Sequence, residues 1–470
     1  MNILIVGNGF DLSHYLPTKY DHFMDVMKAI DDFDTGKKAP DLSDHSVNEW
    51  MTLLDKTFEK RKDHDNSQYE MDFDSLYSKT RDANFISKTK EFYLTDQIIL
   101  SSQDVVKLQY RLKLNNWYQY FKNHVEEINT WIDFEQKIEE VLNSLANCIV
   151  EIEKLENSSK YHEYFNLDRN GNLLKKELKT LGFFNFFALE EYSRRSIHLD
   201  GSSKLVKRNN INPIFCHGAK IEFGFNPTCF LGYLNNQLDE FIDIFDQYLL
   251  LVVNQLQPQT QLQISNEQWV YPDKIYSFNY TNTYQRIHNS TETEYLHGSC
   301  GENQNIVLGI SDLEHECLRS LKAYGFTKYH QKLFKDTDYL FLDNYRNWIN
   351  ETDRNINILK ESISSGYATE IRSRGERIRL RQTQETRSLN LTFYIWGHSL
   401  DVSDKDYIID LFSLNNDIDR NVRIIVYFFN KPAKFALLNN LLRILGKDHV
   451  EKWMKKGWLM FASNPEIKTV

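Results

Sequence analysis

Proline is scarce in this chain, with 8 in 470 residues, and glycine is thin at 18. Few points therefore force the backbone to break, and long helices should dominate. Cysteine is as sparse: Cys148, Cys216, Cys229, Cys300 and Cys317 make an odd number, and no Cys-x-x-Cys occurs. That excludes a readable disulfide framework and a zinc ribbon, so all five are taken as free thiols. Positive charge is not in excess either. The formal net charge of −10 and pI near 5.8 argue against a protein that coats nucleic acid by bulk charge. No run of about 20 apolar residues exists, so no membrane span is expected. The first residues form a strand and lack the basic start and cleavage site of a signal peptide, which suggests a cytoplasmic protein. Internal repeats and low-complexity tracts are missing as well.

What the chain does have is a large apolar fraction, 41% of residues, enough to bury a sizeable core. Residues Phe134, Ile138, Val141, Leu145, Cys148 and Ile152 recur at three- and four-residue steps, the mark of an amphipathic helix. Leu231, Leu234, Leu238, Phe241, Phe245 and Leu249 repeat the pattern. Strand-like runs gather elsewhere, over residues 3–6, 274–278, 305–308, 391–396 and 422–428, with helices expected over 405–412 and 433–442. The simplest architecture is α/β: a parallel, Rossmann-like sheet begun by the N-terminal strand, interrupted by a large helical insertion, then resumed. The core would span residues 1–29 and 270–470, and the mainly helical insertion 30–269.

Polar residues cluster just past four of these strand ends, where open α/β sheets bind ligands. The first cluster is Gly7-Asn8-Gly9-Phe10-Asp11. Its glycines allow close approach to a pyrophosphate, and Asp11 either binds ribose hydroxyls or caps the first helix. Asn279, in Ser277-Phe278-Asn279-Tyr280-Thr281-Asn282, has a carboxamide that both donates and accepts. It would hold a water beside a sugar carbon, or else bond its own backbone. His297 precedes Gly298-Ser299 and titrates near neutrality, which suits a general base; the plain alternative is a satisfied, partly buried histidine. Gly397-His398-Ser399-Leu400 completes the set, with Ser399 as a ligand contact and Asp404 as structural.

These blocks, in this order, resemble the AbiH family of bacterial abortive-infection proteins across the whole chain. The opening G-N-G-F-D-L-S-H-Y-L-P-T-K-Y departs at Tyr15, where that family usually has glycine. More distantly, the same blocks resemble those of sirtuins in chain order. That resemblance implies that Pro17 and Thr18 lie in a loop over the nicotinamide ribose, that Asn279 orders the water, and that His297 is the base. The activity implied is hydrolysis of NAD at the nicotinamide–ribose bond during phage infection, with NAD as substrate and no metal or other cofactor. A second copy of the chain or a phage-derived trigger would be the partner.

Other signals point less directly at function. Residues 166–177 follow calcium-loop spacing but hold too few carboxylates for tight binding. Trp131-Ile132-Asp133-Phe134-Glu135 matches an AbiH block, and Asp133 with Gln136 equally makes a helix start. Arg372, Arg374, Arg377, Arg379 and Arg381 form an exposed helix face, a partner surface or a nucleic-acid contact. Two rivals to the enzyme stay open: a non-catalytic sensor of NAD or ADP-ribose, and a nucleic-acid-acting effector.

Overall fold

A computed structural model describes residues 1–34, 69–125, 131–155, 161, 165, 175–195, 203–265, 269–337, 340–364, 370–415 and 418–469. Two compact units emerge. The first comprises residues 1–16, 258–306 and 332–470; the second comprises 17–257 and 307–331.

The first unit is built on a six-stranded sheet in which every pairing is parallel. Its strands are β1 (Asn2–Val6), β2 (Lys274–Ser277), β3 (Thr293–Tyr295), β4 (Leu391–Trp396), β5 (Val422–Phe428) and β6 (Leu459–Ser463). In space they run β3-β2-β1-β4-β5-β6. Apolar residues on both faces bury β1 completely, as a parallel strand requires. Ile3 and Ile5 face a cluster with Phe393, Ile395, Leu411 and Trp453, whereas Leu4 and Val6 face Phe10, Tyr284 and Trp396. The register sets Val6 opposite both Ser277 and Trp396, so the strand ends carrying the polar blocks lie level.

Two strand expectations change. Residues 305–308 form no strand: the Leu308 N–H and carbonyl bond the Gln331 side chain, at 3.0 and 2.9 Å, instead of a neighbouring strand. Conversely, β6 and the antiparallel pair of Leu262–Ser265 with Glu466–Thr469 were not anticipated.

Helices dominate the second unit. Tyr20–Asp32, Ser102–Leu114, Asn116–Asn123, Trp131–Glu153 and Pro227–Tyr248 pack by aromatic contacts such as Phe23 edge-on to Phe241 and Phe134 stacked on it. The stripes from Phe134 to Ile152 and from Leu231 to Leu249 are buried as their periodicity predicts. Asn226 caps the last helix through the Cys229 N–H at 3.2 Å, with Pro227 at its first turn. An antiparallel pair, Phe187–Arg195 with Ser203–Ile211, interrupts the helices; its Leu189-Glu190-Glu191-Tyr192 stretch lacks clean alternation. Asp133 sits in the first turn of the Trp131–Glu153 helix, and Glu135 pairs with Lys328 at 2.7 Å, which gives that block a structural role. Residues 166–174 of the calcium-loop pattern lie outside the described residues. Among the described residues no helix is long and apolar enough to cross a membrane, and none of the five cysteines is in a disulfide.

Candidate functional site

Two glycine turns meet where β1 and β4 end. Gly7 N–H donates to the Trp396 carbonyl at 3.1 Å, Gly9 N–H to the Gly397 carbonyl at 2.9 Å, and Phe10 N–H to the Gly7 carbonyl at 2.8 Å. A Cβ at Gly397, whose φ is +76°, would sit 2.1 Å from Phe10 N; one at Gly9 would sit 2.7 Å from Gly397 Cα. The glycines are thus demanded by backbone packing of one turn on the other. A phosphate at this turn would have to rely on groups other than these three N–H donors. Phe10 and Leu400 are core side chains: Phe10 packs tilted against His14 and edge-on to Trp396, and Leu400 joins the other face of the sheet. Ser399 is exposed. Pro17 and Thr18 are buried and belong to the second unit, where Tyr248 donates its hydroxyl to the Pro17 carbonyl.

Asp11 and Asn279 form one corner. Thr281 donates to Asp11 Oδ2 at 2.7 Å and lies 3.0 Å from the Thr283 hydroxyl. Ser277 Oγ accepts the Asn279 N–H at 3.1 Å, fixing the bend that turns the carboxamide inward. Burial raises the Asp11 pKa to about 6, against the lowering influence of Thr281, Thr283, Arg286 and the nearby Asn279 amide. A cavity of about 10 Å³, room for one water, is lined by Asp11, Asn279, Thr281, Thr283 and Tyr295 among others.

His297 and His398 form the other corner, with Asp404 between them. His297 Nε2 lies 3.1 Å from Asp404 Oδ1, and His398 Nε2 lies 3.3 Å from Oδ2. The Leu400 N–H donates to His398 Nδ1 at 3.0 Å, so the His398 proton resides on Nε2 and faces the carboxylate. Phe278 fills the space between the imidazoles, edge-on to His297 and against His398. Gly298, at φ +79°, lets the chain cross the Asn305 carbonyl, which a Cβ would meet at 2.0 Å. Among the described residues no group of three His, Cys, Asp or Glu side chains is placed to hold a metal.

A pair of histidines, His14 buried and His288 half-buried, had no part in the sequence reading. His14 Nδ1 donates to the Phe10 carbonyl at 2.8 Å, which leaves its Nε2 to accept from His288 Nε2 at 2.8 Å. Burial lowers both, His14 to about 3 and His288 to about 4, so both are neutral at pH 7. Their signal was the four-residue spacing of Phe10 to His14 and Tyr284 to His288, which places each pair on one helix face. Tyr15 follows at φ 55°, a left-handed conformation that explains the usual glycine there. Arg374, Arg377, Arg379 and Arg381 are exposed on the Glu370–Glu385 helix, and Arg381 pairs with Glu385 at 3.0 Å.

The family profile described as Bacteriophage abortive infection AbiH matches residues 3–428. The chain belongs to the AbiH family. This membership supports a role in abortive infection against bacteriophage. No curated protein matches the chain, and no solved structure does. The match runs from β1 to the end of β5, so both polar corners of this AbiH-family chain fall inside it.

Proposed function

We propose that this AbiH-family chain is an abortive-infection effector that hydrolyses NAD at the nicotinamide–ribose bond, on a Rossmann-like sheet related to that of sirtuins. The observation that carries the reading is the convergence of Gly7, Asn279, His297 and Gly397 just past the carboxyl ends of four adjacent parallel strands. The β3-β2-β1-β4-β5-β6 order supports it, because it is the order of doubly wound dinucleotide-binding sheets. The order reverses between β1 and β4, where the glycine turns meet, and such a switch point is where these sheets take their ligand.

Nicotinamide bonded to ribose is cationic and leaves as a neutral molecule, so the protein's task is to hold the dinucleotide and direct water. Asn279 orients the water, and His297 anchors the ribose or takes a proton. The remaining candidates of the same unit, Asn8 and Ser399, contact the rest of the nucleotide. The cavity at Asn279 is far smaller than a dinucleotide, so only the reacting oxygen enters it. Because NAD loss kills the cell, activity is held back until infection, and the helical unit is the candidate for that control.

One observation favours the second reading, a non-catalytic sensor of NAD or ADP-ribose: His297 is turned to Asp404 and does not line the cavity at Asn279. Incubating the purified full chain with NAD and identifying the products separates the two. Release of nicotinamide with ADP-ribose supports the enzyme; tight binding with intact NAD supports the sensor.

A further inference from the structure

The corner at Asp11 is more specific than a general nucleotide site. Asp11 is 1% exposed and Asn279 6%. Thr281 satisfies Asp11 Oδ2; Oδ1 and Asn279 Nδ2 make no hydrogen bond of good geometry among the described residues, although the Asn279 amide is near enough to lower the Asp11 pKa. Both side chains line the cavity of about 10 Å³. A buried acceptor and a buried donor facing one cavity of water size make a seat that a bound oxygen would complete.

Its chemistry follows from the two atoms. An ionised carboxylate oxygen only accepts, and an amide nitrogen only donates. An atom that serves both must donate once and accept once. An ammonium group cannot accept and a carbonyl or phosphate oxygen cannot donate, which leaves a hydroxyl oxygen of water or of a sugar. We infer that Asp11 and Asn279 together seat one hydroxyl oxygen, and that Asp11, not His297, accepts the proton of the attacking water. The first half stands on geometry alone; the second rests on the NAD reading above.

In that step the seated water oxygen bonds to the anomeric carbon as the carbon–nitrogen bond breaks. The electron pair of that bond passes to the ring nitrogen, and nicotinamide leaves neutral. The water proton passes to Asp11 Oδ1 and is later released to solvent, so NAD and water give ADP-ribose, nicotinamide and one proton. Burial raises the Asp11 pKa, and Thr281, Thr283, Arg286 and the Asn279 amide hold it to about 6, a value suited to a base, so the carboxyl is ionised at neutral pH. Tyr284 and Tyr295, the other titratable side chains lining the cavity, have their pKa values pushed up to about 12 by burial and stay neutral.

Two measurements on the full chain test this. A high-resolution crystal structure at pH 8 is expected to show an ordered oxygen within hydrogen-bond reach of both Asp11 Oδ1 and Asn279 Nδ2. An empty cavity, or a direct bond between the two side chains, overturns the seat. The pH profile of nicotinamide release is the second. In the unsubstituted chain kcat/KM should rise about tenfold per pH unit below pH 6, and His297→Asn should keep that limb. Asp11→Asn should lose the limb and at least about a hundredfold in kcat, with KM little changed. Asn279→Asp, which replaces the donor with an acceptor, is the second variant should Asp11→Asn fold poorly; it should lose the ordered oxygen. An unchanged profile in Asp11→Asn overturns the base assignment. If the oxygen is present but no nicotinamide is ever released, the seat stands and the base role falls with the NAD reading.

Discussion

Two corners of the same sheet edge differ in how their charge is settled. At the ends of β3 and β4, Asp404 stands between two imidazoles, and both its oxygens face a ring nitrogen. At the ends of β1 and β2, Asp11 has one oxygen satisfied and one turned to a cavity beside the Asn279 amide. The first corner is a carboxylate held between two imidazoles, at 3.1 and 3.3 Å, an arrangement that fixes the rings. The second opens on a small cavity that Asp11 and Asn279 both line. The residue with the stronger catalytic look in the sequence, His297, belongs to the paired corner, and the aspartate that could have been only a helix cap lines the cavity.

The comparison breaks most completely at Gly397, on which both corners depend. Gly397→Ala should cost about 3 kcal/mol or more, because its Cβ would strike Phe10 N at a positive φ. Chemical denaturation checks this, and near-normal stability would mean the two turns are not packed as described.

Next in size is pH. The Asp11 pKa is raised above its unfolded value near 3.8, so the folded state holds the proton longer. Asp11 therefore makes stability fall as pH rises from about 4 to 6, by about 3 kcal/mol for a shift of about two units. His288 has the opposite sign. Its depressed pKa gives stability that is present above pH 6.5 and lost as pH falls through about 4. Denaturation from pH 4 to 7 should thus show Asp11→Asn gaining on the parent as pH rises and His288→Asn losing on it. Parallel curves would remove both groups from the account.

Activity sharpens the contrast between corners. Asn279→Ala should lower nicotinamide release about a hundredfold or more while NAD affinity changes much less. His297→Ala should do the same only if the corner at Asp404 takes part in the chemistry. If both act on one transition state, the double variant will be little worse than either single one. If His297 is a brace, its loss will show in melting temperature and activity together.

The smallest effect expected is a gain. Tyr15→Gly should stabilise by about 1 kcal/mol, since Tyr15 sits at φ 55° where glycine carries little strain. A loss measured by denaturation would show that the half-buried ring packs well enough to outweigh that strain.

The frame of the site was legible because parallel strands buried on both faces read as apolar runs. Ile3-Leu4-Ile5-Val6, Leu391 to Trp396 and Val422 to Phe428 are such runs, the first two ending at Gly7 and Gly397. Ile306-Val307-Leu308 has the same look and is not a strand, because Gln331 supplies the bonds that a neighbouring strand would have given. β6 escaped notice because Met460 on this edge strand is exposed, which breaks the buried pattern. At the site, residue types and positions past strand ends were readable, but pairings were not. Asp11 to Thr281 spans 270 positions and His14 to His288 spans 274, and no local spacing encodes such contacts. The glycines were legible as necessary, though their cause was turn-on-turn packing, so Gly9→Val would disturb the fold as well as any pocket.

The most direct test of the central claim is the NAD content of cells expressing the full chain, followed through infection by a phage against which it protects. The account predicts that NAD falls, with nicotinamide and ADP-ribose rising, and that Asn279→Ala abolishes both the fall and the protection while leaving the protein folded. Protection with NAD undiminished, or protection retained in a folded Asn279→Ala chain, would contradict it.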